Sequence, residues 1–490
     1  MNGRIALVGA ASLSHGRRLL NDLFTFPWID SCTLALMAPH REHLDSVTAY
    51  ARRLASRNGF GTNVSGYTEL RTAVEGSDIV FLLYDAGGFA AFDRDFRIAR
   101  AFGIDMCIGD TMGPTGTMKA LRNIAVLGEV AEEIRRSCPE AIVVNYVNPM
   151  APMTMAAEQL GLRNFVGICG GVQATIRTIA ACLEEEAEEL ETRFAGINHM
   201  TWALEIRRAG RDLYPVFRER MLSPRWRAAE PARAEVLQHF GYFVTETSGH
   251  LSDFFPWFRS TPSQRRRYAA GPAYSGASGA YHRVASYIHR RLGRVDPLAY
   301  EDGTLEPRSE DAGPRIADAW LTGGSVSFYG NVMNTARLIE NLPEDAAVEV
   351  PVEIDSRSIE GGKTGALPEA LAALCRTNIT TQRLMTRGSL QQDPELLLSG
   401  ISLDPLTAAS TDLPAIRRLA EQLIAANRRW LPDLAGDYHI PDIEIRADPE
   451  MVTSRSDWAD VLEPVRRFDR QRRKRSEHAA NRPGDARNRA

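Results

Sequence analysis

Two side chains in this sequence form a pair suited to a divalent metal. Gly167-Ile168-Cys169-Gly170-Gly171 closes an apolar run with a cysteine, and Asn198-His199-Met200-Thr201-Trp202 places a histidine further along. A thiolate and an imidazole together suit a borderline cation and leave coordination positions open for substrate oxygens. Taken singly, Cys169 also suits a buried thiol. Three other loops could hold a small ligand. Gly9-Ala10-Ala11-Ser12 follows the first apolar run, where a tight turn lets backbone N–H groups approach a pyrophosphate; a bare strand–helix turn has the same look. Gly109-Asp110-Thr111-Met112-Gly113-Pro114-Thr115-Gly116 is polar and glycine-dense, and Asn148 follows the apolar run that ends at Tyr146.

These residues need strands whose carboxyl ends meet along one edge. Ile5 to Val8, Thr33 to Met37, Ile79 to Tyr84 and Ile142 to Tyr146 read as buried strands. Between the last two, Ala120, Leu121, Ile124, Leu127, Val130, Ala131 and Ile134 recur at helical spacing. Strands alternating with helices predict crossover connections, and so a doubly wound parallel sheet of Rossmann type over about residues 1–195. From 196 to 465 the pattern changes to α+β. Ala203 to Ile206 reads as a strand turning at Arg208–Arg211, 260–315 as loops and short helices, and Leu367–Leu384 with Leu413–Trp430 as a helical pair. The remainder, 466–490, is basic with almost nothing apolar, and is expected to be a disordered, solvated tail.

The chain has 490 residues, 44% hydrophobic and 24% charged, with a net charge of −4. Such length allows a large core split between two intimate domains. The charge offers no field for nucleic acid, and no run of about 18 apolar residues predicts a membrane span. Six cysteines without framework spacing read as free thiols or a metal ligand in a reducing compartment. The first strand begins at Arg4 with no charged and apolar leader ahead of it. Both features place the chain in the cytoplasm.

Several stretches resemble the family 4 glycoside hydrolases. They include 108–114, Asn145-Tyr146-Val147-Asn148-Pro149-Met150, the Cys169 loop, 196–202, Phe240-Gly241-Tyr242-Phe243-Val244-Thr245-Glu246, Gly330-Asn331-Val332, 341–345, 376–378 and Leu403-Asp404-Pro405-Leu406-Thr407, in that order over about 3–435. The likeness is to the α-galactosidase and α-glucosidase branch. It implies a lactate/malate dehydrogenase-like architecture, a small-molecule glycoside substrate, a homodimer or homotetramer, NAD, and a divalent metal, usually Mn²⁺. It also implies an unusual reaction: oxidation at sugar C3, loss of the C2 proton, elimination, water addition and re-reduction. By motif, Cys169 and His199 would ligate the metal and Asn148 would hold sugar hydroxyls. Asp110 would lie by cofactor or substrate, and Gly9 and Ser12 at the pyrophosphate.

The sequence departs from the family at telling places. Ala11 replaces a glycine, and Ala38 replaces the acid that holds the cofactor ribose, which leaves NAD against NADP open beside His40 and Arg41. Gly170 stands where an assisting His, Asp or Asn is usual. Phe254, in Ser252-Asp253-Phe254, stands at the catalytic tyrosine, so the base is expected to be Asp253 or Tyr242. Phe92 takes the place of an arginine that serves phosphorylated sugars, which disfavours that substrate class. An acidic sugar would need cations such as Arg265, Arg266, Arg267 and Arg283. Two other readings remain: an NAD-dependent sugar or hydroxy-acid dehydrogenase, and a non-catalytic sugar- or nucleotide-binding protein.

Overall fold

The computed structural model describes residues 2–12, 15–269, 271, 273–292, 296, 298–356 and 358–431. The expected basic tail and the end of the expected second domain lie outside them.

Short apolar runs build the sheet's parallel half. Its strands are β1 (Arg4–Val8), β2 (Thr33–Met37), β3 (Asn63–Tyr67), β4 (Ile79–Leu82), β5 (Ile142–Asn145) and β6 (Phe165–Ile168). Pairing is parallel throughout, in the spatial order β3-β2-β1-β4-β5-β6. All four residues of β4 and of β5 are buried, as strands covered on both faces by helices must be. The crossover helices are α1 (Gly16–Leu23), α2 (Arg41–Arg57), α3 (Leu70–Val74), α4 (Gly88–Ala101), α5 (Gly113–Ser137), α6 (Met150–Gln159) and α7 (Gly171–Leu183). The strand order reverses between β1 and β4, which opens a crevice beyond the strands' carboxyl ends.

The longest of these helices, α5, carries the expected apolar series from Ala120 to Ile134, all buried. Pro114 lies in its first turn, where the missing N–H costs nothing, and Arg135 and Arg136 lie in its last, where cations oppose the helix dipole. A second face presents Lys119, Arg122 and Asn123, all buried. These three are the polar scaffold behind the crevice.

The sheet does not stop at β6. Strands β7 (Glu191–Ile197), β8 (Met200–Arg208), β9 (Arg211–Asp212), β10 (Phe243–Val244), β11 (Val326–Met333), β12 (Ala347–Ile354) and β13 (Ile359–Gly361) extend it to thirteen strands. Here every pairing is antiparallel, beginning with β11 on β6. The main path runs β10-β8-β7-β12-β11-β6. The division expected at 195/196 therefore falls inside β7, and one core spans both halves, from Ile5 and Leu82 to Trp202, Val350 and Met385. Gly330 pairs with Ile168 and Glu349 with Gly196, so β11 and β12 bridge the two strands that end at Cys169 and His199. The region 260–315 holds one helix longer than expected, Ala280–Leu292, packed beside α4.

Candidate active site

Cys169 is the first residue beyond β6, and α7 begins two residues later. Its Sγ accepts a hydrogen bond from the Gly171 N–H at 3.4 Å. His199 is reached differently. Ile197 and Met200 are paired in register, so Asn198 and His199 form a two-residue turn between β7 and β8. His199 takes φ +64°, a left-handed conformation that costs a β-carbon residue on the order of 1 kcal/mol. Thr111 Oγ1 sits 3.5 Å from its Nδ1.

The turn delivers His199 Nε2 to a carboxylate absent from the expected site. Glu246 Oε1 lies 3.9 Å from that nitrogen and 3.7 Å from Cys169 Sγ. One ligand atom from each of the three lies within 4.8 Å of the others. Glu246 is placed by pairing: β10 lies against β8, Thr245 N donates to Thr201 O at 2.9 Å, and Thr201 N donates to Thr245 Oγ1 at 2.9 Å.

A second histidine missed by the sequence reading stands beside them. His250 lies in the short helix Ser248–Leu251, which Thr247 caps by accepting from the His250 N–H. Its ring centroid is 4.3 Å from that of His199, edge to face. Nε2 is 3.8 Å from Asp110 Oδ1, and Nδ1 is 4.0 Å from Glu246 Oε2. That Nε2 is buried and has no hydrogen-bond partner among the described residues. Burial first, then His199, pushes the imidazole pKa down to about 4, against the pull of Asp110 and Glu246, so the ring is neutral at pH 7. Phe254, fully buried, closes one side of the pair at 5.8 Å from His250 and 6.3 Å from His199, ring to ring.

Asp110 and Asn148 complete the cluster. Asn148 Nδ2 donates to Asp110 Oδ2 at 3.3 Å, and Thr111 Oγ1 donates to Asp110 Oδ1 at 2.8 Å. Lys119 Nζ lies 4.0 Å from Asp110 and 3.5 Å from Asp85. Burial opposes the charge of Asp110, but Lys119 leads the groups that hold its pKa below the usual carboxylate range. Asn123 ties the crevice together, donating to Asn148 O at 2.7 Å and accepting from Ala86 N at 2.8 Å.

Neither expected base lies in this cluster. Asp253 accepts three backbone hydrogen bonds, from Cys107 N and Ile108 N at 2.9 Å and Gly109 N at 3.0 Å, with Arg259 Nε 3.7 Å away. Both its oxygens are thus committed to the loop that carries Asp110. Its pKa is pushed up to about 6 by burial, against the pull of Arg259 and these amides. Tyr242 is half-buried, its ring 6.0 Å from Tyr214, in a shallow depression lined also by Leu204, Glu205 and Arg218. Asp404 clamps the other end of the same loop, accepting from Gly113 N at 3.1 Å and from Thr407 N at 2.8 Å.

At the carboxyl end of β1, Gly9 has φ +88°, and a β-carbon there would meet Tyr84 N at 2.5 Å. Only glycine lets β1 and the β4 loop approach this closely. The N–H groups of Gly9 and Ala10 both donate to Met37 O at 2.9 Å, and Ser12 N donates to Gly9 O at 3.0 Å. A β-carbon on Gly88, at the start of α4, would meet nothing within 4 Å. The crevice therefore keeps the tight turn at the end of β1 and open space at the start of α4, with the N–H groups of Gly9, Ala10 and Ser12 engaged within the chain. At the end of β2, Ala38 is buried and offers the ribose no acceptor, while His40 and Arg41 are exposed beside it. The donor set of Cys169, His199 and Glu246 fits a divalent cation: without one, burial first and then Glu246 and Glu349 hold the thiol pKa well above its usual value.

A doubly wound sheet with a cysteine–histidine–carboxylate cluster at its crevice is the arrangement of a cofactor-assisted enzyme. The family description "Family 4 glycosyl hydrolase" matches residues 4–185, and "Family 4 glycosyl hydrolase C-terminal domain" matches 194–407. The chain is 32% identical over 449 residues to an alpha-galactosidase of Rhizobium meliloti (strain 1021), covering 88% of this chain and 90% of that one. It is 31% identical over 434 residues to an alpha-galactosidase of Bacillus subtilis (strain 168), covering 88% and 99%. Its fold is similar to that of a 6-phospho-alpha-glucosidase from gut microorganisms, solved in complex with NAD and Mn²⁺, at a TM-score of 0.73 and 19% identity over 89% of this chain and 100% of that one. This chain belongs to the family 4 glycosyl hydrolases, and is a glycosidase. No helix among the described residues is long and apolar enough to cross a membrane.

Proposed function

We propose that the protein hydrolyses a non-phosphorylated α-galactoside by the oxidation–elimination route, with NAD and Mn²⁺ as its cofactors. The carrying observation is the cluster itself: Cys169 and His199 meet beside Asp110 and Asn148 at the mouth of the crevice. The two alpha-galactosidase relatives support the sugar. Phe92 supports the absence of a phosphate, since it is buried against Phe96 and Tyr281 where a phosphate-binding cation would be needed. Two of the arginines weighed for an acidic sugar are engaged elsewhere. Arg265 donates to Arg259 O at 2.9 Å and Arg267 to Glu235 at 2.7 Å, on the helix Pro262–Tyr268.

Cys169 and His199 would hold the metal, and the β1–α1 turn with Gly9 and Ser12 would hold the dinucleotide. When bound, these groups supply a hydride acceptor for sugar C3 and a Lewis acid for the C2 and C3 oxygens. The chain's own side chains orient the sugar and move its protons. Asn148 and Asp110 bind sugar hydroxyls, with Lys119 keeping Asp110 ionised. His250 takes the role expected of Asp253 or Tyr242: Nε2 is neutral and unpartnered, and accepts the C2 proton once C3 is oxidised. Asp110, 3.8 Å away, stabilises the imidazolium that forms. Gly170 leaves the leaving-group side open, since a β-carbon there would meet nothing within 4 Å. That space admits the aglycone and then water.

The test is turnover of an aryl α-galactoside by protein freed of metal and nucleotide. Activity restored only when NAD⁺ and Mn²⁺ are both added supports the reading. Cleavage without either would overturn it, and net accumulation of NADH would favour a dehydrogenase.

A further inference from the structure

We propose that Glu246 is a third protein ligand of the divalent cation, joining Cys169 and His199. The proposal rests on the metal-binding reading above and extends it to a residue whose role that reading leaves unassigned.

Distance is the first support. Around a small divalent ion, sulfur sits at about 2.3 Å and nitrogen or oxygen at about 2.0–2.2 Å, so neighbouring ligand atoms lie roughly 3.0–3.6 Å apart. Glu246 Oε1 is 3.7 Å from Cys169 Sγ and 3.9 Å from His199 Nε2, so the carboxylate stands within a few tenths of an ångström of a shared-ligand spacing to both, and all three ligand atoms lie within 4.8 Å of one another. Gly171 supplies the second. A β-carbon at 171 would lie 2.0 Å from Glu246 Oε1, so the chain is bare where the carboxylate enters. The third is mechanical. Glu246 follows Thr245, which is hydrogen-bonded twice to Thr201 on the hairpin that carries His199, so two donors ride on one paired element. The other carboxylate oxygen, Oε2, lies 4.0 Å from His250 Nδ1, beyond hydrogen-bonding distance, so the group does not depend on that ring for its place.

Glu349, the neighbouring acid, is not available for this task. Its two oxygens accept from Thr201 Oγ1 at 2.5 Å and Asn331 Nδ2 at 3.2 Å beneath the hairpin. A carboxylate oxygen added to a thiolate and an imidazole hardens the site, which favours Mn²⁺ over ions that prefer sulfur. Three protein donors would still leave coordination positions for sugar oxygens.

The experiment titrates Mn²⁺ into reduced wild-type protein and the variants E246Q, G171A, G171A/E246Q and C169S, reading the unbound ion by its electron paramagnetic resonance signal. Metal-free thermal melts verify that each variant folds. The proposal expects E246Q to weaken Mn²⁺ binding by about tenfold or more. It expects G171A, which keeps the carboxylate but displaces it, to weaken binding as well, and to add little in the E246Q background. C169S should bind weakly or not at all. Unchanged affinity in E246Q, with binding lost in C169S, would overturn the third ligand while leaving the cysteine–histidine site intact. Unchanged affinity in C169S would overturn both.

Discussion

At the residue scale the site is a set of small decisions about which atoms remain free. Asp253 has the right chemistry for a base, but three amide donors occupy it; His250 has an unremarkable place in the sequence, but its Nε2 is free and faces Asp110. Two expectations follow. His250→Gln should lower turnover at least a hundredfold, the usual worth of a positioned base being about 10²–10⁴, while Mn²⁺ affinity stays within a few-fold. Steady-state kinetics beside a metal titration read both, and full activity in this variant would exclude His250 as the base. Asp253→Ala should instead act on stability. It strands three buried N–H groups at about 1–3 kcal/mol each, so chemical denaturation should show a loss of at least roughly 3 kcal/mol, with turnover by the folded fraction falling less than in His250→Gln.

At the scale of elements, what could be read from the sequence was what is local. Ile5–Val8, Thr33–Met37 and Ile142–Asn145 are apolar runs because both their faces are buried, and each is a strand nearly as bounded by its pattern. By contrast, β3 has a single fully buried apolar residue, Val64, because it lies at the sheet's edge. Cys169, His199, Asp110 and Asn148 were legible because each sits at a glycine- or turn-rich junction. Glu246 and His250 were not, although the stretch through Glu246 was noted, because β10 reaches the site by pairing with β8 and that register has no local signal. The i, i+4 spacing of a carboxylate and an imidazole was the one cue available. Helix packing behind the crevice yields its own expectation. Arg122 Nη1 pairs with Asp95 at 2.5 Å, donates to Asn427 at 2.8 Å, and both charged side chains are fully buried. Replacing Arg122 by Met should cost about 1–3 kcal/mol, since Asp95 loses one buried charged partner but keeps Arg94 at 3.1 Å and Asn427 at 3.0 Å. A midpoint unchanged in urea would contradict this.

At the scale of the whole molecule, the antiparallel half of the sheet serves the chemistry of the parallel half. The crevice at the reversal of strand order is a general dinucleotide site; β11 and β12 extend the same sheet so that the β7–β8 turn reaches Cys169. The proposed route has oxidation and proton transfer occur on one bound sugar, and a continuous sheet with one core would hold both groups of residues together. Under the proposed route, glycoside cleavage proceeds through loss of the C2 proton. Its most direct test is to run the reaction on an aryl α-galactoside in D₂O with NAD⁺ and Mn²⁺ and examine the released sugar by NMR. Deuterium at C2 of the product is the result expected, and a product carrying only protium at C2 would exclude C2 deprotonation.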